Sequence, residues 1–188
     1  MIALAVFAAA IRTGPAEAQQ AIDARREYNV KAVNVYGFCR FVTWPSDSLN
    51  DRHPELVIGV CGSSRIEEAL KEVARRKTVN QRKLKIVRCE TAAELKACHV
   101  GFISRSLPRK EQEQLIEETG TASVMLVGEH PGFAEAGGIA NFYISNGRVR
   151  FELNPTAAAE RRLKLDAKLL SLGTTIRRPN GTASTVIR

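Results

Sequence analysis

A chain of 188 residues is long enough for one compact domain to bury a full core, and no internal repeat or long Pro/Ser linker divides it. A hydrophobic share of 44% beside 26% charged residues excludes a disordered chain and a membrane-embedded one. The formal charge of +8 is concentrated: from Val73 to Cys89 seven basic residues (Arg75, Arg76, Lys77, Arg82, Lys83, Lys85, Arg88) meet no acid. Such a run is either a patch for anionic lipid or an acidic partner, or a solvated helix end and edge strand guarded by charge against aggregation. No aromatic residue is interleaved with these charges for base stacking, which argues against nucleic acid.

The first residues, Ile2 to Ala10, are apolar but too short to span a bilayer, and they lead to Ala16-Glu17-Ala18 before Gln19, an A-x-A cleavage signature. The basic start of an export leader is missing, so the segment reads either as a signal peptide over residues 1–18 or as a buried helix. Cleavage would leave one domain over residues 19–172, soluble and outside the cytoplasm, with 173–188 as a flexible tail poor in apolar residues. A long amphipathic helix follows from Asp23 to Phe41, with Tyr28, Ala32, Val35 and Cys39 at helical spacing, and Trp44-Pro45 ends it. Leu56 to Cys61 has the branched composition of a fully buried strand, and Gly62-Ser63-Ser64 turns it into a helix from Arg65 to Val73 with a Ser cap.

The alternation continues with a strand at Leu84–Val87, a helix at Ala92–Ala97, a strand at His99–Ile103, a helix at Pro108–Glu118 and a strand at Ser123–Val127. That order predicts an α/β fold with three layers around a mostly parallel sheet, of flavodoxin or Rossmann type. Asn146-Gly147 between Ile139–Ser145 and Arg148–Leu153 predicts an antiparallel C-terminal hairpin, because both turn positions need positive φ. Helical sequence resumes after Asn154-Pro155 and runs, broken near Lys164, to Leu172, so the N- and C-terminal helices pack on the sheet.

The ordered segments Glu27 to Val33, Phe41 to Pro45, Leu56 to Gly62, Cys98 to Ser104, Gly132-Phe133-Ala134 with Gly137-Gly138, Asn141-Phe142 and Arg148 to Asn154 together resemble the YfiR-like family. Lys168 to Leu170 fits as well, and the likeness runs in order from about Glu27 to Leu172. The resemblance implies a periplasmic regulator that represses a membrane signalling enzyme, a diguanylate cyclase or a sensor kinase, by direct contact. It thereby implies control of cyclic-di-GMP and biofilm formation. It further implies a cysteine pair that position 98 matches and position 59 does not, since Gly59 stands there.

From the residues, Cys61 and Cys89 both end strands and would bridge if those strands are neighbours, whereas Cys98 begins a strand and should lie a sheet's length from Cys61. Cys39, on the buried helix face, reads as a packed thiol. No two cysteines have C-x-x-C spacing, and adjacent Cys98 and His99 point to opposite faces of a strand, so neither redox catalysis of the thioredoxin type nor a metal site is expected.

Ligands of open α/β sheets bind beyond the strands' carboxyl ends, which selects Gly62, Ser63, Ser64 and Arg65, with Arg105 and the Gly128-Glu129-His130 loop along the same edge. The first loop is either an anion site or a simple tight turn. It lacks the G-x-G-x-x-G fingerprint and the P-loop lysine, so no cofactor is expected. Asn141 and Arg150 share a hairpin face beside Glu152, as a polar brace or a ligand grip. There is no G-x-S-x-G elbow, and no catalytic set is predicted. For partner contact the opening helix offers Arg25, Arg26 and Lys31 on its outer face, with the aromatics Tyr36, Phe41 and Trp44, equally readable as core, near its end. A regulatory binding protein leads, a small-anion or amino-acid binding module is the alternative, and a homodimer stays open.

Overall fold

The computed structural model describes residues 15–50 and 54–176, and its first element is the helix α1, Pro15–Phe41. One face of α1 is held to the domain: Tyr28, Ala32, Val35, Phe38 and Cys39 are all buried. The short strand β1 (Val42–Thr43) leads to β2 (Glu55–Cys61), α2 (Ile66–Arg76), β3 (Thr78–Val79), β4 (Arg82–Cys89), α3 (Ala92–Lys96), β5 (Val100–Ile103), α4 (Arg109–Thr119) and β6 (Met125–Gly128). The hairpin strands β7 (Ala140–Ser145) and β8 (Arg148–Leu153) come next. The described chain closes with α5 (Pro155–Glu160), β9 (Lys164–Leu165), α6 (Ala167–Leu172) and β10 (Thr174–Thr175).

Eight strands form one mixed sheet in the order β10-β8-β7-β6-β5-β2-β4-β3. From β4 through β2, β5 and β6 to β7 every pairing is parallel, while β3 is antiparallel to β4, β8 is antiparallel to β7, and β10 runs parallel to β8. β1 and β9 pair separately. Period-two alternation along β2 divides the layers: Leu56, Ile58 and Val60 join the core that α1 and α2 cover, and Val57 and Cys61 join the one under α3 and α4. The α/β, three-layer expectation therefore holds. The hairpin turn has Asn146 at φ 50 and Gly147 at φ 69, as its sequence requires. Phe38 of α1 meets Phe142 and Phe151 with centroids 5.8 and 5.1 Å away, which seats the opening helix on this hairpin.

Three local expectations are corrected. Arg65, not a serine, holds the cap position of α2; Ser64 Oγ instead accepts the Ile66 N–H at 3.3 Å. The expected tail is not loose from its start, because Thr174 and Thr175 pair with Glu152 and Leu153 of β8; residues 177–188 lie outside the described residues. The opening helix starts earlier than Asp23 and takes in positions 16–18 of the leader signature, while residues 1–14 lie outside the described residues.

Candidate functional site

Where the order of strands reverses, between the parallel neighbours β2 and β5, the loops beyond the strands are packed on each other. Ser104 Oγ donates to Ser63 O at 2.9 Å, and a Cβ at Gly62 would stand 2.7 Å from Ser106 Oγ. The opening has moved sideways, over the ends of β2 and β4. A cleft of about 700 Å³ lies there, lined by Gly62, Ser63 and Ser64, by Arg88 to Ala92, and by Leu107, Glu111, Gln114 and Glu118 on the α4 side. Arg88 Nε is 2.7 Å from Glu67 Oε2, and Glu67 also takes Lys71 at 2.8 Å; these two cations hold its carboxyl below the ordinary range, Lys71 contributing most. With Arg88 paired and Glu90, Glu111 and Glu118 around the rim, the cleft's charge does not favour an anion.

The floor of the cleft is sulfur. Cys61 and Cys89 are partners in the parallel register of β2 and β4, and both line the cleft. Cys98 returns from α3 to place its Sγ 3.7 Å from Cys89 Sγ. The sequence reading set Cys98 a sheet's length from Cys61 and weighed no contact between Cys98 and Cys89, which the short α3 produces by bringing the chain straight back. Gly59 makes room: a Cβ there would stand 2.6 Å from Cys89 Sγ and 2.8 Å from Cys98 Sγ. Cys89 occupies the space that a side chain at position 59 would take. Hydrogen bonds from the Cys61 and Cys98 thiols lower the Cys89 pKa against the opposing effect of burial, and the same bonds, with burial, raise those of Cys61 and Cys98. Cys39 stands apart in the other core layer, its thiol pushed up to about 12 by burial.

The remaining expected residues fall into separate places. Arg105 turns to α1, where its Nη2 is 3.7 Å from Glu27 Oε1. Arg65 lines a groove between α1 and α2 with Arg25, Asn29 and Arg75. Asn141 donates to Glu152 Oε1 at 2.8 Å, so the hairpin brace exists, with Arg150 exposed on the same face. Lys31 is not on the outer face: it is 2% exposed and ion-paired to Glu27 and, at 2.5 Å, to Glu129. Trp44 is core, donating its indole N–H to His99 O at 3.1 Å. Tyr36 is half-buried, with its hydroxyl on Thr78 O at 3.2 Å.

The Lys31–Glu129 pair was missed because 98 residues separate its members. A signal for half of it was present, since Lys31 falls on the buried stripe Tyr28, Lys31, Val35, Phe38 at spacings of three and four. The outer face of α1 carries Ile22, Val30 and Val33, 48%, 45% and 59% exposed, with exposed Arg25 and Arg26 between them. Burying large apolar side chains is favourable, so an exposed row of them beside arginines suits contact with another protein.

The helices on both faces of a largely parallel sheet define a three-layer α/β domain in which the cleft over the ends of β2 and β4 is floored by thiols. The sequence profile of the YfiR/HmsC-like family matches residues 28–174, and the chain belongs to that family. Among solved structures it is similar to a conserved domain protein from Vibrio cholerae O1 biovar El Tor, at 15% identity and TM-score 0.49. That likeness covers 65% of this chain and 55% of the other, so the chain spans about half of its length. No curated protein matches it.

Proposed function

We propose that the protein is a regulatory binding protein, not an enzyme, that acts outside the cytoplasm and represses a membrane signalling enzyme, a diguanylate cyclase or a sensor kinase, by direct contact. The observation that carries the reading is the outer face of α1, where Ile22, Val30 and Val33 stand exposed next to Arg25 and Arg26 on a helix whose opposite face is locked into the core. Membership of the YfiR/HmsC-like family supports the regulatory role. No described helix is long and apolar enough to cross a membrane, so contact with a membrane enzyme would be made through its domain outside the bilayer. Export by cleavage after Ala18 belongs to the same proposal.

The test is deletion of the gene followed by complementation. Deletion raises cyclic-di-GMP or kinase output, and the wild-type gene restores repression. Val33→Asp combined with Arg26→Glu folds normally and does not restore it, each such contact being worth about 2 kcal/mol or roughly thirtyfold in affinity. A deletion without effect on either output, or the protein found in the cytoplasm, sinks the proposal.

A second reading is favoured by the cleft itself, whose volume suits a small molecule. Its acidic rim selects an amine or amino acid over a simple anion, and mass spectrometry of ligand carried through native purification checks it.

A further inference from the structure

We propose that Cys89 and Cys98 form a thiol–disulfide centre at the floor of the cleft, with Cys89 the attacking sulfur, Cys98 the resolving one and Cys61 the residue that positions Cys89. Three independent features of the geometry lead there. First, the two sulfurs are 3.7 Å apart, so a small side-chain rotation bonds them. Second, the missing side chain of Gly59 leaves this space open; even a methyl group there would press on both sulfurs at 2.6 and 2.8 Å. Third, Cys89 and Cys61 line the cleft, whereas Cys98 is not part of its lining.

Position in the cleft lining and proximity set the order of events. The thiolate of Cys89 attacks one sulfur of an external disulfide; that S–S bond breaks, one external thiolate leaves, and Cys89 carries the other half as a mixed disulfide. Cys98 then loses its proton to water and attacks the Cys89 sulfur, and the second external thiolate departs. In sum two protein thiols are oxidised to one disulfide and the external disulfide is reduced to two thiols. Cysteines only 3% and 6% exposed admit only a slim reactant, a low-molecular-weight disulfide such as that of glutathione. Cys61 takes no part in the bond. It stands beside Cys89 as its partner in the register of β2 and β4, where its thiol favours the Cys89 thiolate. The product bridge spans a nine-residue separation and ties the end of β4 to the turn between α3 and β5, fixing the cleft wall from Glu90 to Ala92.

The experiment uses the full chain, reduced and then incubated with oxidised glutathione, with thiol counting and mass-spectrometric mapping of bridges. Two of the four thiols are expected to disappear into a Cys89–Cys98 link. In Cys98→Ser the reaction stops with one glutathionyl group on Cys89. Cys61→Ala shifts the pH profile of Cys89 alkylation upward, and Cys61→Ser, which keeps a donor, restores it. Should the variants fail to fold, the wild type still decides: Cys89 must react with iodoacetamide at least about tenfold faster than the packed Cys39. Retention of all four thiols, a link through Cys61, an adduct on Cys98 or equal alkylation rates would overturn the proposal.

Discussion

At the residue scale the most consequential group is Glu129, whose side chain is fully covered and which gathers Lys31, the Tyr28 hydroxyl at 3.4 Å and the Arg105 N–H at 3.3 Å. Each of these donors comes from a segment that must be in place before the carboxylate is satisfied, so the residue stitches α1 to the loops beyond β5 and β6. Removing one partner of a buried ion pair leaves the other charge stranded. Glu129→Ala is expected to destabilise the domain by about 3–5 kcal/mol in urea unfolding, and Glu129→Gln combined with Lys31→Met by clearly less than the sum of the single changes. A double-mutant cycle that closes additively would show that the pair carries no coupling. The sequence reading put Lys31 on the outer face, although its spacing to Tyr28 and Val35 fits the buried stripe, and nothing in the sequence shows that position 129 answers it.

At the element scale the short helices depend on their caps. α3 has only five residues, too few to persist alone, and it is held by a reciprocal box: Thr91 Oγ1 accepts the Glu94 N–H at 3.2 Å and Glu94 Oε2 accepts those of Glu90 and Thr91 at 2.7 and 3.2 Å. Those backbone donors keep the Glu94 carboxyl below its ordinary range. Thr91→Ala is expected to lower stability by about 1 kcal/mol, read as a lower denaturation midpoint at unchanged slope, whereas Thr91→Ser keeps most of it. The box, like the Asn146-Gly147 turn, is legible in sequence because all its parts lie within a few residues. The Ser cap expected for α2 was misplaced by one position, since Ser64 turns its hydroxyl to the next turn's N–H while Arg65 takes the boundary.

At the scale of the whole molecule, global stability is linked to pH through Cys39, which lies on the buried face of α1 in the larger core layer. Its folded-state pKa is raised from 9.0 to about 12 by burial. Below the unfolded value the thiol is neutral in both states and its contribution is complete; above it the unfolded chain gains stability by ionising while the folded one cannot. Stability is therefore expected to fall as pH rises through that window, by up to about 4 kcal/mol at about 1.4 kcal/mol per unit. Cys39→Ala removes this part of the alkaline slope, which chemical denaturation at pH 8, 9 and 10 measures as a difference between the two proteins.

What the amino-acid sequence determined by itself is what rests on near neighbours and periodicity: the alternation of strands and helices, the branched run of β2 that had to be buried, the hairpin and its turn, and the family likeness carried by segments in order. What tertiary structure alone decided is which distant groups meet. Ser104 seals the loop edge against Ser63, Lys31 turns inward to Glu129, and Cys98 reaches Cys89 across a gap left by Gly59. Such meetings follow from strand order and from a helix's rotation about its axis, which depend on the packing of the whole core and leave no mark at any one position in the chain.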